Sequence, residues 1–372
     1  MGSGTGTSGL VVDDVEARVY VVPTEQPEAD GTFAWDATTV VVVIVRAGGA
    51  TGLGWTYAER SAGEVVAGTL APVVRGRDVC DVPGGNEAMT RAVRNAGRPG
   101  VAACAVSAVD VALWDLKARA LDVSLVGLLG RAQESVAVYG SGGFTTFDDA
   151  TTSRQVEGWL ADDGVTAVKI KIGESWGTRV ERDLERVALV RRVAGPDVEV
   201  FVDANGGYAV GQAVRVERRL REHDVSWFEE PVSSDDLPGL AHVRSRAVAD
   251  VAAGEYGWTL GYFERMLAAG AVDCLQADVT RCGGITTWLR AAAVAEAHHT
   301  DVSAHCAPQL SAHVGCAAPN VRHLEYFADH VRLEAMLFDG VLPATAGRLR
   351  PDPSVAGHGL ALRRDAERFR AG

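Results

Sequence analysis

The chain holds 372 residues, with 36 Lys and Arg against 49 Asp and Glu and a formal net charge of −13; its sequence pI is about 5.2. That balance argues against nucleic acid and anionic membrane surfaces as partners, and no apolar run reaches the ~20 residues of a membrane span. The length suffices for two or three domains, or for one barrel with additions.

The opening residues 1–9, MGSGTGTSG, lack the basic-then-apolar build of a signal peptide and read as a flexible leader. From 10 to 60 the chain reads as three strands: LVVDDVEARVYVV, TTVVVVIVRAGG and GLGWTYAE, broken at Gly and Asp. Helical spacing follows in GEVVAGTLAPVVRG and again in AACAVSAVDVALWDLKARAL. Strands first and helices after predict an α+β unit over 10–132. Cys80, Cys104, Cys274, Cys282, Cys306 and Cys316 form no CxxC pair. They read as reduced thiols of a cytoplasmic protein.

From Val136 short β-rich runs alternate with helix-patterned segments. The runs are VAVYGS, TAVKIKIG, VEVFVDAN, VSWFEEP, VAAGE, CLQADVT, DVSAHC and HLEYF. Eight runs, each followed by a crossover, predict a closed parallel barrel over 133–327, a modified TIM barrel of the (β/α)7β kind. The Gly/Pro-rich segment 328–372 is expected to return to the first domain, so that the two together form a cap.

In such a barrel the chemistry sits at the carboxyl ends of the strands. The last polar residues of successive runs are Lys169 and Lys171, then Asp203, Glu229, Glu255, Asp278, His305 and Glu325. Asp203, Glu229 and Glu255 lie 26 residues apart in turn, one strand, helix and return loop each. Three converging carboxylates repel one another unless a cation joins them. An all-oxygen donor set favours a hard ion such as Mg²⁺. Read singly, each acid is as easily a helix cap; the regular series favours the metal.

Only three of the 36 cationic Lys and Arg residues are lysine, and two of them form KIK at 169–171. Strand alternation turns both side chains to one face. Lysine, unlike arginine, can lose its proton when burial and a like charge lower its pKa. One of the pair is therefore expected to act as a base and its neighbour to bind an anion. His305 and Asp278 end adjacent strands, where a carboxylate accepting the Nδ1 proton fixes the imidazole tautomer. Glu325, if protonated, is expected to donate to a developing oxyanion.

The order KIK, DAN, WFEEP, AAGE, DVTRCGG, SAHC and LEYF resembles the mandelate racemase subgroup of the enolase superfamily, and the likeness spans the whole barrel. The resemblance implies Mg²⁺ held by Asp203, Glu229 and Glu255. It implies Lys171 as one acid/base and His305, paired with Asp278, as the other, with Lys169 and Glu325 assisting and Asn205 near metal or substrate. The shared chemistry is removal of the proton α to a carboxylate, giving an enediolate. Lactonising and epimerising relatives carry a lysine five residues before the paired glycines; here Asp278 precedes Gly283 and Gly284.

The expected activity is dehydration of an acid sugar (a hexonate, pentonate or aldarate). Racemisation or epimerisation of a 2-hydroxy acid is the alternative, and a metal-binding barrel without catalysis is a third reading. The partner is a small carboxylate, and a homo-oligomer is expected because members of the group commonly form dimers or octamers. Substrate contacts are expected from the polar-aromatic loops 23–35 and GWTYAE, with Trp55 and Tyr57, and from Tyr139 and Ser141 on the first barrel strand.

Overall fold

The computed structural model describes residues 9–371, so the leader expected over 1–9 falls, but for Gly9, outside the described residues. Strands β1 (Asp14–Ala29), β2 (Ala34–Ala47) and β3 (Ala50–Tyr57) form an antiparallel sheet in that order. The VVVVIV run of β2 is apolar on both faces because both faces are covered. Val41, Val43 and Val45 join the core under the cap helices, while Val40, Val42 and Ile44 join the core shared with the barrel. The segment 23–35, expected as a loop, is instead the tip of the β1–β2 hairpin, with Glu28 opposite Trp35 and Ala29 opposite Ala34.

The helix Ala103–Ala120 lies on β3. Two glycines permit that approach: a Cβ on Gly52 would stand 2.1 Å from the carbonyl of Ala112, and one on Gly54 would stand 2.2 Å from that of Ala108. Counted with the π-turn before it, 98–120 is long and apolar enough to span a bilayer, contrary to the sequence expectation. The fold buries 78% of its apolar window, as befits a core helix. A further helix, Val82–Ala92, precedes it. Its PGG start hides it from periodicity, and it is held by burial of Val82 and Met89.

Eight parallel strands close a barrel among the described residues: β4 (Val136–Gly142), β5 (Ala167–Lys171), β6 (Glu199–Asp203), β7 (Val225–Glu229), β8 (Asp250–Ala253), β9 (Cys274–Ala277), β10 (Asp301–Ala304) and β11 (Val321–Phe327). Neighbours pair in chain order, and β11 closes on β4. Helical crossovers join each strand to the next, which is the expected (β/α)7β plan. Inward-facing side chains stack in layers: Tyr139, Ala167, Phe201, Trp227, Ala252 and Cys274 make an apolar floor. Lys169, Asp203 and Glu229 lie one layer above, each two residues further along its strand than Ala167, Phe201 and Trp227.

After β11 the helix Ala328–Leu337 and a looped segment run back to the first domain. Phe338 packs on Trp55, the His358 amide donates to Asp115 Oδ1 and its Nε2 to the Leu53 carbonyl, and the Ala371 amide donates to Val19 of β1.

Candidate active site

Strand register brings the acids together. Lys171 is paired with Asp203, and Asp203 with Glu229. Single ligand oxygens of Asp203, Glu229 and Glu255 lie within 4.8 Å of one another, and all three residues are buried. Two buried polar oxygens here, Glu230 Oε1 and Asn205 Oδ1, have no hydrogen-bond donor, and Glu255 Oε2 meets only His305 Nε2, at 3.4 Å. Such orphaned acceptors beside a carboxylate triad fit a hard, oxygen-preferring divalent cation. Each acid is otherwise anchored. Trp227 Nε1 donates to Glu229 Oε2 at 2.9 Å, the Asn205 amide donates to Asp203 Oδ1, and Arg281 reaches Glu255 Oε1 at 3.2 Å.

Both lysines point into the barrel. Lys169 is wholly buried, its Nζ 2.6 Å from Glu229 and 2.8 Å from Glu325. Lys171 Nζ lies 2.5 Å from Asp203 Oδ2 and borders the open cavity. Burial and Lys169 disfavour charge on Lys171, as the sequence suggests, but the Asp203, Glu325 and Glu255 carboxylates outweigh them and hold its pKa well above the ordinary lysine value. The balance is set by acids outside β5, Asp203 of the neighbouring strand first among them, so neutralising them is what lowers the proton affinity of the lysine.

His305 follows β10 with its Nδ1 2.8 Å from Asp278 Oδ2. Asp278 is in turn fixed by the amide and hydroxyl of Thr280, both at 2.7 Å. The imidazole therefore presents Nε2 toward Glu255 and Glu325, at 3.4 and 3.5 Å. Burial opposes its charge, yet Cys306 and the carboxylates around it raise its pKa well above the usual histidine value. For Glu325, burial pushes the pKa up, but Lys169 and His305 outweigh burial and draw it well below the usual carboxylate value. Glu325 accepts from Ser141 Oγ at 2.6 Å and from the Cys306 amide at 3.2 Å.

Above these groups lies a cavity of about 340 Å³. Lys171, Asn205, Glu255 and His305 form its base, and Tyr57 and the hairpin-tip residues Asp30, Thr32, Phe33 and Trp35 form its roof. The tip is moored to the barrel loops by the Thr145 amide on Ala29, by Thr146 on Pro27 and by the Trp176 amide on Gly31. Tyr57 stacks on His330, ring centroids 3.4 Å apart, and donates to Glu334.

Three of the expected substrate contacts do not line this cavity. Trp55 is two residues before Tyr57 on the same strand face and is sealed beneath Phe338 and His358. Tyr139 belongs to the apolar floor, against Phe201 and His323, and its hydroxyl lies 3.4 Å from Lys169 Nζ. Ser141 is fully buried and its hydroxyl is spent on Glu325.

Sequence reasoning passed over Arg281, Glu230 and Cys306. Arg281 stands three residues after Asp278, bonds Glu255 and lies 3.5 Å from Asp278, so the DVTRCGG motif contained its signal. Glu230 is the second acid of EEP, in a left-handed backbone conformation (φ 36°) that turns it into the metal region. Burial and Glu255 raise its pKa well above the carboxylate range.

A capped (β/α)7β barrel with a carboxylate triad and proton-transfer groups at its strand ends defines the enolase class. Residues 15–130 match the mandelate racemase / muconate lactonizing enzyme N-terminal domain, and residues 151–366 match the enolase C-terminal domain-like model. The chain belongs to the mandelate racemase subgroup of the enolase superfamily. It is similar to the 3,6-anhydro-alpha-L-galactonate cycloisomerase of Streptomyces coelicolor, at 32% identity over 96% of this chain and 98% of the relative. A mandelate racemase/muconate lactonizing enzyme-like protein from Rubrobacter xylanophilus superposes with a TM-score of 0.94 at 47% identity, covering 97% of this chain and all of that one (100%). The L-talarate dehydratase of Polaromonas sp. JS666, solved with Mg and L-glucarate, superposes with a TM-score of 0.88 at 27% identity, covering 98% of each chain.

Proposed function

We propose that this chain is a magnesium-dependent acid-sugar dehydratase. The observation that carries the reading is that Lys171 and His305, from well-separated strands, line one cavity together with Glu255 of the Asp203–Glu229–Glu255 triad. The three acids would hold Mg²⁺, which supplies positive charge for the enediolate that forms when an α-proton leaves. Lys171 Nζ and His305 Nε2 divide the proton traffic: one removes the α-proton, the other delivers a proton to the departing β-hydroxyl. Asp278 fixes His305 so that Nε2 faces the substrate. Lys169, held by Glu229 and Glu325, adds a fixed cation beside the substrate carboxylate. The hairpin tip roofs the cavity and excludes water. Six cysteines without a CxxC pair suit a reducing compartment, the cytoplasm.

The test is a library of acid sugars incubated with the purified protein and Mg²⁺, scored for a 2-keto-3-deoxy acid. No keto acid from any hexonate, pentonate or aldarate would refute the reading. Cycloisomerisation is the second reading, favoured by the full-length likeness to a cycloisomerase. It conserves substrate mass where dehydration loses one water, so mass spectrometry of the product separates them. Racemisation would instead exchange the α-proton for solvent deuterium with no new keto acid.

A further inference from the structure

Cys306 is left without a role by the proton chemistry, yet the fold holds it at the cavity wall. Cys306 and Ala307 both adopt left-handed backbone angles (φ 47° and 43°), which non-glycine residues take only where surroundings impose them. Those surroundings are specific. The Cys306 amide donates to Glu325, its carbonyl accepts from Ser311 Oγ at 2.7 Å, and the Ala307 amide donates to His330 Nδ1. The thiol is thereby aimed at two neighbours, His305 Nε2 at 3.5 Å and Glu325 Oε2 at 3.3 Å. The third edge of the triangle, His305 Nε2 to Glu325 Oε2, is 3.5 Å.

Those edges match one face of a tetrahedron around zinc. With Zn–S near 2.3 Å and Zn–N and Zn–O near 2.0–2.2 Å, tetrahedral ligands stand about 3.3–3.6 Å apart. Sulfur and imidazole are the donors that a soft or borderline ion prefers and that Mg²⁺ avoids. The partners of each atom agree. Glu325 Oε1 is engaged by Ser141 and Lys169, while Oε2 accepts the Cys306 amide and keeps its second lone pair for the triangle. Asp278 takes Nδ1 of His305, leaving Nε2. His305 and Cys306 border the cavity, which gives an ion a path in and a solvent molecule as fourth ligand.

We propose that His305, Cys306 and Glu325 form a second cation site, selective for zinc-like ions and distinct from the three-acid site. An ion entering it displaces two protons to solvent, one from the Cys306 thiol and one from His305 Nε2, and takes the Nε2 lone pair so freed. Occupancy then blocks proton transfer at that atom, a consequence that rests on the function proposed above, whereas the site itself does not.

Cobalt(II) is the probe, added to protein already saturated with Mg²⁺. The expected result is one further cobalt per chain with a near-ultraviolet thiolate-to-cobalt charge-transfer band. That band should vanish in Cys306→Ser and persist in Cys282→Ser, another buried cysteine. No band in the unaltered protein, or a band unchanged in Cys306→Ser, overturns the site. Because the serine variant can fail to fold, crystals of the unaltered protein soaked in zinc give an independent reading. An anomalous peak bonded to Cys306 Sγ, His305 Nε2 and Glu325 Oε2 supports the site, and a peak confined to Asp203, Glu229 and Glu255 overturns it. Zinc should also abolish turnover at saturating Mg²⁺. A cobalt band with full turnover leaves the site standing and counts instead against the role given to His305.

Discussion

Lys169 and Lys171 differ by two positions along one strand, and their surroundings make them different chemicals. Lys169 is enclosed by Glu229, Glu325 and the Tyr139 ring and has no exposed surface. Lys171 touches one acid closely and opens onto the cavity. Replacing Lys171 with Ala, or His305 with Asn, should lower kcat by about 10²–10⁴ while circular dichroism stays unchanged; full activity in either variant would contradict the assigned proton transfers. Lys169→Arg should also fail, because a guanidinium is broader than the gap between two carboxylates only 2.6 and 2.8 Å from the ammonium. Steady-state kinetics on whichever acid sugar turns over provides both measurements. The lysine pair is legible in the sequence because period-two alternation and the rarity of lysine both single it out. What is not legible is the sign of the Lys171 shift, since the acids that set it come from β6, β8 and β11.

At the scale of elements, the hairpin tip and the β3–helix contact each have a measurable signature. Glu28 sits at the tip, accepting from Trp35 Nε1, and burial together with Asp329 pushes its pKa up to about 8 from 4.5. The folded chain thus binds a proton at Glu28 that the unfolded chain releases above pH ~4.5. The stabilisation is complete below that value and is lost as pH rises through about 8. Glu28→Gln keeps the acceptor for Trp35 without the titration, so its Tm relative to the unaltered protein should climb between about pH 5 and pH 9. A constant difference across that range would remove Glu28 from the account. Gly54→Ala should destabilise by about 1–3 kcal/mol, because the methyl would meet the Ala108 carbonyl and the Ala112 amide; thermal melts test this. The eight strands were readable from their apolar runs and polar ends. The hairpin tip was not, because PTEQPEADGTFAW has loop composition and becomes strand only through pairing and docking on the 143–147 loop. The GWTYAE segment carries two aromatics on one strand face, and which ring reaches the cavity depends on the tail that covers Trp55.

For the molecule as a whole, the carboxylate triad couples cation binding to folding. An ion that binds only the native arrangement stabilises it by about 2.7 kcal/mol at a hundred times its dissociation constant. Mg²⁺ should therefore raise Tm, EDTA should reverse the rise, and Asp203→Asn should abolish it. A Tm indifferent to Mg²⁺ in the unaltered protein would argue that the three acids do not hold the ion. This readout needs no substrate, so it separates the metal site from the choice among dehydration, cycloisomerisation and racemisation.

The tail carries one more consequence. Glu334 braces Tyr57 from beyond the last barrel strand, His330 stacks on the same ring, and residues around 358 seal Trp55 of the first domain. During translation the opening sheet leaves the ribosome hundreds of residues before its partners do. An interrupted synthesis that stops short of Glu334 lacks the acceptor of the Tyr57 hydroxyl, so that roof residue is left without this brace. Limited proteolysis of ribosome-bound chains arrested before and after this point would show the roof become protected in a single late step.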